Sequence, residues 1–330
     1  AMDYIFPPGS ARLRELLARR MTELGTPLDP EGLVITDGCQ EAVLLALRAA
    51  TRPGDVVAVE SPTYYGLLQA LEAGGLQALE IPTDPREGLN LEVLAFALEQ
   101  WPVRACIVTT NFSNPLGGSL STAHKQDLVR LLDDHGVPLV EDDVYGDLPH
   151  SGPRPDTAKA YDRNGDVLYC ASYSKTLSPG LRVGWIAAGR FHDRVQHLKY
   201  VSNLAAPAGG QLAIADLLAR GAYERHLRDV RAAYARSTGR MLHLLENVFP
   251  QGTRMTHPQG GFLIWVQLPP GADAMTVHAR ARAEGISVAP GPIFSASGKY
   301  ADCLRLTTAV PWTGTLERAL VRVGQLAEGT

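Results

Sequence analysis

Residues 171–185 read ASYSKTLSPGLRVGW and carry the most informative pattern in the chain. Lys175 is one of only five lysines among 31 basic residues, and it lies in a turn predicted between strands Val167–Ala171 and Val183–Ala188. A lysine amine that forms a Schiff base needs partial desolvation and a hydrogen-bonding frame, and the hydroxyl groups beside Lys175 can supply that frame. Arg182 suits an oxyanion such as phosphate, because its guanidinium binds two oxygens at once.

Upstream of this turn, short strands rich in β-branched residues alternate with amphipathic helices. The predicted strands are Leu33–Thr36, Val56–Val59, Leu76–Ile81, Ala105–Thr109 and Pro138–Glu141. The predicted helices are Ser10–Leu24, Gln40–Ala50, Gly66–Ala73, Leu91–Gln100 and Thr122–His135. Repeated units of this length predict an α/β fold: a three-layer sandwich in which helices cover both faces of a mostly parallel sheet.

The pattern changes after the Lys175 turn. A long helix is predicted at Tyr223–Asn247, followed by a mixture of short strands and helices. A helix of this length often connects two lobes of a protein. We therefore predict a large domain over residues 1–225 and a smaller α+β C-terminal domain over residues 226–330.

Composition excludes several classes of protein. Of the 330 residues 45% are hydrophobic, which is far too many for a disordered chain. A net charge of −4 gives no reason to expect this chain to bind nucleic acid or an anionic membrane. The four cysteines are far apart in apolar stretches, so we predict buried thiols, and the histidines show no metal-ligand spacing. With no membrane span or signal peptide in the pattern, a soluble cytoplasmic protein is expected.

Polar residues follow several predicted strands, and strand ends are where an open parallel sheet binds ligands. Gly38 would let the backbone approach a ligand, and the helix after it offers free N–H groups to a phosphate. Tyr64 is placed to stack on a planar ring. Asn114 precedes Pro115 in a tight turn of a kind that can hold a cis bond. Taken singly, an ordinary turn or a surface tyrosine is an adequate explanation of each feature.

Charged residues in apolar strands form a second group. Glu141, Asp142 and Asp143 close an apolar strand, which is costly unless a positive partner meets at least one of them. The alternative is a solvated acidic loop. Arg305 lies inside another apolar strand and implies an anionic partner, either a core carboxylate or a substrate carboxylate, unless it extends to water from a sheet edge.

Taken together and in this order, the segments resemble the fold-type I pyridoxal-phosphate enzymes of aminotransferase class I and II. The resemblance runs from Tyr4 to the last predicted helix, and its core motif is Ser-x-Ser-Lys-x-x-x-Pro-Gly-Leu-Arg at residues 172–182. Two groups are most similar: the 2-aminoadipate and kynurenine-type aminotransferases, and the aminotransferase-like domain of MocR-type regulators of the GntR family. The segments at 141–146 and 286–291 are slightly more similar to the second group.

The resemblance implies catalytic roles for Lys175, Asp143 and Tyr145. Lys175 would hold pyridoxal phosphate as a Schiff base and move the substrate proton, and Asp143 would pair with the ring nitrogen. Tyr145 and Asn114 would hydrogen-bond the phenolic oxygen of the ring. Arg305 would clamp the α-carboxylate of the substrate, which Asn114 would also contact.

The resemblance also implies how the rest of the cofactor is bound. Tyr64 would stack on the ring. The implied phosphate-binding residues are Gly38, Cys39, Gln40, Ser172, Ser174 and Arg182. Tyr4 would reach the phosphate of a neighbouring subunit, which implies a homodimer with composite active sites.

The function implied by the resemblance is transfer of an amino group between an α-amino acid and a 2-oxo acid. The alternative is an effector-sensing and dimerisation domain of a MocR-type transcriptional regulator, with pyridoxal phosphate as a ligand and little or no turnover. The chain starts almost at Tyr4, where free-standing enzymes carry further residues, and this favours the alternative. β-Elimination or decarboxylation on the same cofactor is a third possibility, because the alignment of bonds at Cα decides which of them breaks.

Overall fold

The computed structural model describes residues 3–329. In this part of the chain eight strands form the larger of two sheets: β1 (Leu33–Thr36), β2 (Val56–Ser61), β3 (Gln77–Asp84), β4 (Gly88–Leu89), β5 (Val103–Thr109), β6 (Leu139–Asp142), β7 (Val167–Ser172) and β8 (Gly184–Ala187). They lie in the order β1-β8-β7-β6-β5-β2-β3-β4. Strands β3, β2, β5, β6 and β7 are parallel, whereas β8 is antiparallel to both of its neighbours and β4 to β3. The prediction of a mostly parallel sheet is confirmed.

Helices cover both faces of this sheet, as predicted. They are α1 (Ala11–Glu23), α2 (Cys39–Ala50), α3 (Tyr65–Ala73), α4 (Leu91–Gln100), α5 (Thr122–Asp134), α6 (His192–Asn203) and α7 (Ala208–Ala219). One hydrophobic core contains Leu17 of α1 and Leu45 of α2, and the core on the opposite face contains Leu94 of α4 and Leu128 of α5. Because each face is apolar and covered, the sheet is buried on both sides.

Helix starts follow local capping chemistry. The Ser10 hydroxyl accepts a hydrogen bond from the Leu13 N–H at 3.4 Å, so α1 begins at Ala11, close to the predicted Ser10. Helix α2 instead begins after Gly38, whose φ of 90° places it in the left-handed region that favours glycine. No side chain caps α2, which leaves its first N–H groups available to a ligand.

The smaller lobe has its own sheet and core. Its strands are β9 (Arg254–Met255), β10 (Leu263–Gln267), β11 (Ala289–Pro290) and β12 (Cys303–Thr307), in the antiparallel order β11-β12-β10-β9. Helices α9 (Ala274–Ala283) and α10 (Gly314–Glu328) pack against it. Helix α8 (Ala222–Val248) contributes Leu227 to the core of the larger lobe and Leu245 to that of the smaller one, so it joins them. The domain boundary at residue 225 remains a prediction.

Two further sequence expectations concern buried thiols and membrane spans. All four cysteines are free and buried, as predicted. No helix within residues 3–329 combines the length and the apolar character that crossing a membrane requires.

Candidate active site

The sheet topology brings the predicted site residues to one edge. The carboxyl ends of β1 and β7 meet the start of β8, where Gly184 pairs with both Thr36 and Ser172. Next to them, Thr109 of β5 pairs with Asp142 of β6. A cavity of about 390 Å³ opens at this edge. Ten residues singled out in the sequence line it: Cys39, Gln40, Tyr64, Asn114, Tyr145, Ser172, Ser174, Lys175, Arg182 and Arg305.

One end of the cavity is built for an anion. Arg182 has a left-handed backbone conformation with φ 49°, and its guanidinium lies against the start of α2, where it donates to the Asp37 carbonyl. A Cβ atom added to Gly38 would lie 2.6 Å from Nη2 of Arg182, so any side chain there would fill this space. The uncapped N–H groups of α2, the Arg182 charge and the hydroxyls of Ser172 and Ser174 together form a phosphate-sized cradle.

Lys175 lies in a compact turn after β7 and lines the cavity. The N–H groups of Leu177 and Ser178 donate to the carbonyl of Tyr173, at 2.9 and 3.3 Å, and close this turn. Burial lowers the pKa of the Lys175 amine, while the nearby carboxylate of Asp142 opposes this shift. A lowered pKa increases the fraction of neutral amine, which is the nucleophilic form.

Asp142, the last residue of β6, is the carboxylate that lines the cavity. Its Oδ1 accepts hydrogen bonds from the Cys39 thiol and the Val144 N–H, each at 3.2 Å. Burial raises the pKa of the Asp142 carboxyl to about 6, and these two hydrogen bonds limit the rise. Burial also raises the pKa of the Cys39 thiol well above its usual value, so the thiol stays protonated and can donate. Asp142 is therefore mostly ionised at neutral pH.

The prediction that Asp143 faces the cofactor was wrong. Its carboxylate is buried away from the cavity, where it accepts hydrogen bonds from Asn111 at 2.8 Å, from Tyr169 at 2.9 Å and from the Arg154 guanidinium. The reason is the alternation of side chains along β6. Asp142 points towards α2, whereas Glu141 and Asp143 point to the other side of the strand end, where Glu141 accepts from the Ala158 N–H.

A buried carboxyl group that the sequence patterns did not indicate lies behind the cavity. Glu60 in β2 is 4% exposed, and its Oε2 accepts a hydrogen bond from the Thr109 N–H at 2.8 Å. Burial raises the pKa of Glu60 to about 8, and the negative charge of Asp142 contributes to this rise. The available signal was a glutamate inside the apolar run of β2, where an unpaired charge is not expected.

Aromatic and amide groups form the wall between the two ends of the cavity. Tyr145 packs edge-on against Phe262, with ring centroids 5.4 Å apart, and burial raises the pKa of its hydroxyl. Tyr64 lies 4.9 Å from the ring of Tyr65. The Asn114–Pro115 peptide bond is cis, as the turn allowed.

Arg305 of β12 comes from the smaller lobe and has unused hydrogen-bonding capacity. Its guanidinium lies over the ring of Phe294, 5.5 Å from the centroid, and Nη1 is 3.5 Å from Oδ1 of Asn114. Its Nε is buried and has no hydrogen-bond partner among the described residues. A buried donor without a partner is unfavourable, so this arrangement fits a carboxylate ligand.

Tyr4 is outside the cavity. Tyr4 is 69% exposed and its ring packs against that of Phe6 at an angle of 31°, with ring centroids 5.7 Å apart. The predicted contact with a neighbouring subunit remains a prediction.

These groups fit pyridoxal phosphate. The cradle at Gly38 and Arg182 suits its phosphate, the Lys175 amine its aldehyde and the Asp142 carboxylate its ring nitrogen. The fold and this set of groups define a fold-type I pyridoxal-phosphate-dependent enzyme. The chain belongs to the aminotransferase class I and II family, whose model matches residues 2–323.

Relatives of two kinds are similar to this chain. It is 42% identical over 325 residues to an uncharacterized HTH-type transcriptional regulator, YjiR, of Escherichia coli, covering 98% of this chain and 69% of that protein. It is 32% identical over 319 residues to aromatic-amino-acid aminotransferase 1 of Thermococcus litoralis, covering 94% of this chain and 76% of that protein.

A solved structure supports the same family. The structure of LysN, an α-aminoadipate aminotransferase from Thermus thermophilus complexed with N-(5'-phosphopyridoxyl)-L-leucine, superimposes with a TM-score of 0.92. The identity is 30%, with 99% of this chain and 83% of that chain covered. The fold class, the cofactor and the transaminase class predicted from the sequence are confirmed.

Proposed function

We propose that the protein transfers an amino group between an α-amino acid and a 2-oxo acid, with Lys175 and Asp142 as its central residues. The observation that carries this proposal is one cavity lined by both a lysine amine of lowered pKa, Lys175, and a half-buried carboxylate, Asp142. Two arginines, Arg182 and Arg305, line the same cavity. They come from different lobes, which supports one anion site for the phosphate and another for the substrate carboxylate.

The residues of the cavity have distinct tasks in this proposal. Arg182 and the start of α2 bind the phosphate, and Asp142 holds a proton at the ring nitrogen. Tyr145 and Asn114 orient the ring through its phenolic oxygen, and Tyr64 packs on the ring face. Pyridoxal phosphate, when bound, supplies an acceptor for the electron pair released at the Cα atom of the substrate.

Lys175 moves the proton that the reaction requires. As a general base its Nζ would take the proton from Cα of the amino donor, and as a general acid it would pass that proton to the cofactor carbon that keeps the amino group. With the 2-oxo acid the same two steps would run in reverse and deliver a proton to Cα. The lowered pKa of the amine favours the base form. Arg305 aligns the substrate by binding its α-carboxylate with the unpaired Nε.

A panel of amino donors tests the activity. Each α-amino acid is added separately to the cofactor-loaded protein. At least one should convert the visible absorbance of the lysine-bound cofactor to that of the amine form, and a 2-oxo acid should restore it. If no donor converts the absorbance at full cofactor occupancy, transamination is excluded. Lys175→Ala should abolish the borohydride-reducible adduct, and an adduct at another lysine would contradict the assignment.

A homodimer with shared sites is the proposed assembly. Tyr4, Phe6 and Tyr200 form a contiguous aromatic surface and are each at least half exposed, at 69%, 51% and 50%. Exposed aromatic clusters of this kind mark protein interfaces. Light scattering should give twice the chain mass, and Tyr4→Ala should weaken cofactor binding in the dimer.

A second candidate is an effector-sensing domain of a transcriptional regulator. It is favoured by the 42% and 41% identity to proteins named as HTH-type regulators, of which this chain spans 69% of the length. In that case an amino acid should bind tightly to the cofactor-loaded protein, as measured by calorimetry, without release of a 2-oxo acid. Product analysis on the same samples separates the two candidates and also detects elimination or decarboxylation.

A further inference from the structure

A buried ion-pair network lies directly beneath the site, outside the cavity that contains Lys175. Its centre is Asp147, whose carboxylate pairs with Arg20 at 3.1 Å and with Arg154 at 2.9 Å. Arg154 is 3% exposed and also binds Asp143. Although burial alone would raise the pKa of Asp147, the two arginines hold it well below its usual range. The Asp147 carboxylate is therefore ionised at neutral pH and remains paired with both arginines.

Helix α8 connects this network to the lysine turn. The Tyr223 hydroxyl lies 2.8 Å from Oδ2 of Asp147 and 3.0 Å from Oγ1 of Thr176, the residue after Lys175. A carboxylate only accepts, so the Tyr223 proton goes to Asp147 and the Thr176 hydroxyl donates to Tyr223. His226, one turn further along α8, lies 2.6 Å from the Thr176 carbonyl through Nε2. Thr176 is thus held through both its side chain and its backbone.

The other end of the network holds the strand that carries Asp142. Asp143, the next residue, is bound by Arg154, Tyr169 and Asn111. The residues adjacent to Lys175 and Asp142 are therefore attached to the same buried ion pairs. The reaction requires the amine and the carboxylate at a defined separation, and a displacement of about 1 Å can reduce a rate by about a hundredfold.

We propose that Tyr223 is a positioning residue, which sets the location of Lys175 relative to Asp142 by linking Thr176 to the Asp147 ion pairs. This inference rests on the proposed function for the roles of Lys175 and Asp142. Arg154 positions Asp142 in the same way, because it links the neighbouring Asp143 to Asp147.

The chain offers a closely matched control. Tyr173 is 1% exposed and its ring lies 5.1 Å from that of Tyr223 at an angle of 90°. Its hydroxyl has no hydrogen-bond partner within residues 3–329. Tyr223→Phe and Tyr173→Phe thus each remove one buried hydroxyl from the same aromatic pair, but only the first breaks the link to Thr176.

The experiment compares both variants with the wild type in three readouts. For Tyr223→Phe we expect faster amide hydrogen exchange at residues 174–178, a shift of about 0.5 pH unit or more in the titration of the lysine-bound cofactor absorbance, and a fall in kcat on the order of tenfold with KM nearly unchanged. For Tyr173→Phe all three should stay close to the wild-type values. Wild-type behaviour of Tyr223→Phe would overturn the proposal, and so would equal changes in both variants, which would indicate packing.

A second substitution keeps the test decisive if Tyr223→Phe does not fold. Thr176→Val removes the partner hydroxyl, and the same three changes are expected, whereas unchanged readouts overturn the proposal. Where both variants fold, the double variant should show no further loss relative to Tyr223→Phe, because that substitution already removes the bond to Thr176. The exchange measurement needs neither turnover nor cofactor. If the wild type shows no transamination, the proposed function fails while this comparison still decides the positioning role.

Discussion

Glu60→Gln isolates the energetic effect of one buried carboxyl group behind the active site. Glu60 is 4% exposed and accepts a hydrogen bond from the Thr109 N–H, which the amide oxygen of glutamine can also accept. Burial raises the pKa of Glu60 from 4.5 to about 8, so the folded protein holds this group in its neutral form below that pH. The substitution keeps the shape and the hydrogen bond but removes the titration.

The sign and size of the effect follow from this raised pKa. A group that binds its proton more tightly when folded contributes no penalty below the unfolded pKa, and it destabilises the fold progressively as pH rises through 4.5 towards about 8. Each pH unit in this window removes ~1.4 kcal/mol from the free energy of unfolding. At pH 7 the wild type should therefore be less stable than Glu60→Gln by about 3 kcal/mol, and the difference should level off above pH 8 at about 5 kcal/mol.

Denaturant unfolding of both cofactor-free proteins from pH 4.5 to 9 measures this difference. We expect the two curves to coincide near pH 4.5 and the midpoint of Glu60→Gln to exceed that of the wild type increasingly as pH rises. Glu72→Gln is the matched control, because Glu72 is exposed on the surface of α3, and it should give a small difference at every pH. A Glu60→Gln difference that does not change with pH, or that favours the wild type above pH 7, would refute the assignment of a neutral buried Glu60.

Four other substitutions test the site and its support. Asp142→Asn should reduce kcat on the order of a hundredfold or more while leaving the fold intact. Asp143→Asn should mainly lower the unfolding midpoint, because it weakens the buried pair with Arg154. Kinetics and melting curves of both variants distinguish the two effects. Arg305→Gln should raise KM for amino donors far more than it weakens cofactor binding, as steady-state kinetics and cofactor titration would show. Lys125→Met should destabilise the protein by about 3 kcal/mol in denaturant unfolding, since Lys125 is fully buried against Asp156.

Much of the fold could be predicted from local patterns. Leu33–Thr36 and Leu91–Gln100 begin and end where the sequence indicated, because each is bounded by turn residues and has one clear periodicity. Helix α2 begins one residue before its prediction, since glycine supplies the left-handed turn without a capping side chain. These features depend on neighbours within a few positions along the chain.

The site was predictable to the extent that its residues fall at strand ends. Lys175, Arg182, Asn114 and Tyr145 line the cavity because the carboxyl ends of parallel strands share one edge of the sheet. Glu60 was missed because its environment is created by β5, which follows it by more than forty residues.

The sequence alone determined most of the helices and strands and the reactive side chains that follow the strands. Its decisive feature is Lys175, in a turn flanked by hydroxyl groups. Which carboxylate meets that lysine was decided only by tertiary structure. The succession Glu141-Asp142-Asp143 does not by itself show which carboxylate points to the cavity. Helix α2 packs on one face of β6, and Asp142 points to that face, towards the cavity. On the opposite side of the strand end Arg154 binds Asp143, so Asp143 stabilises the structure beneath the site. The physical reason is that the direction of each side chain depends on strand register and helix packing, and both are set by long-range contacts.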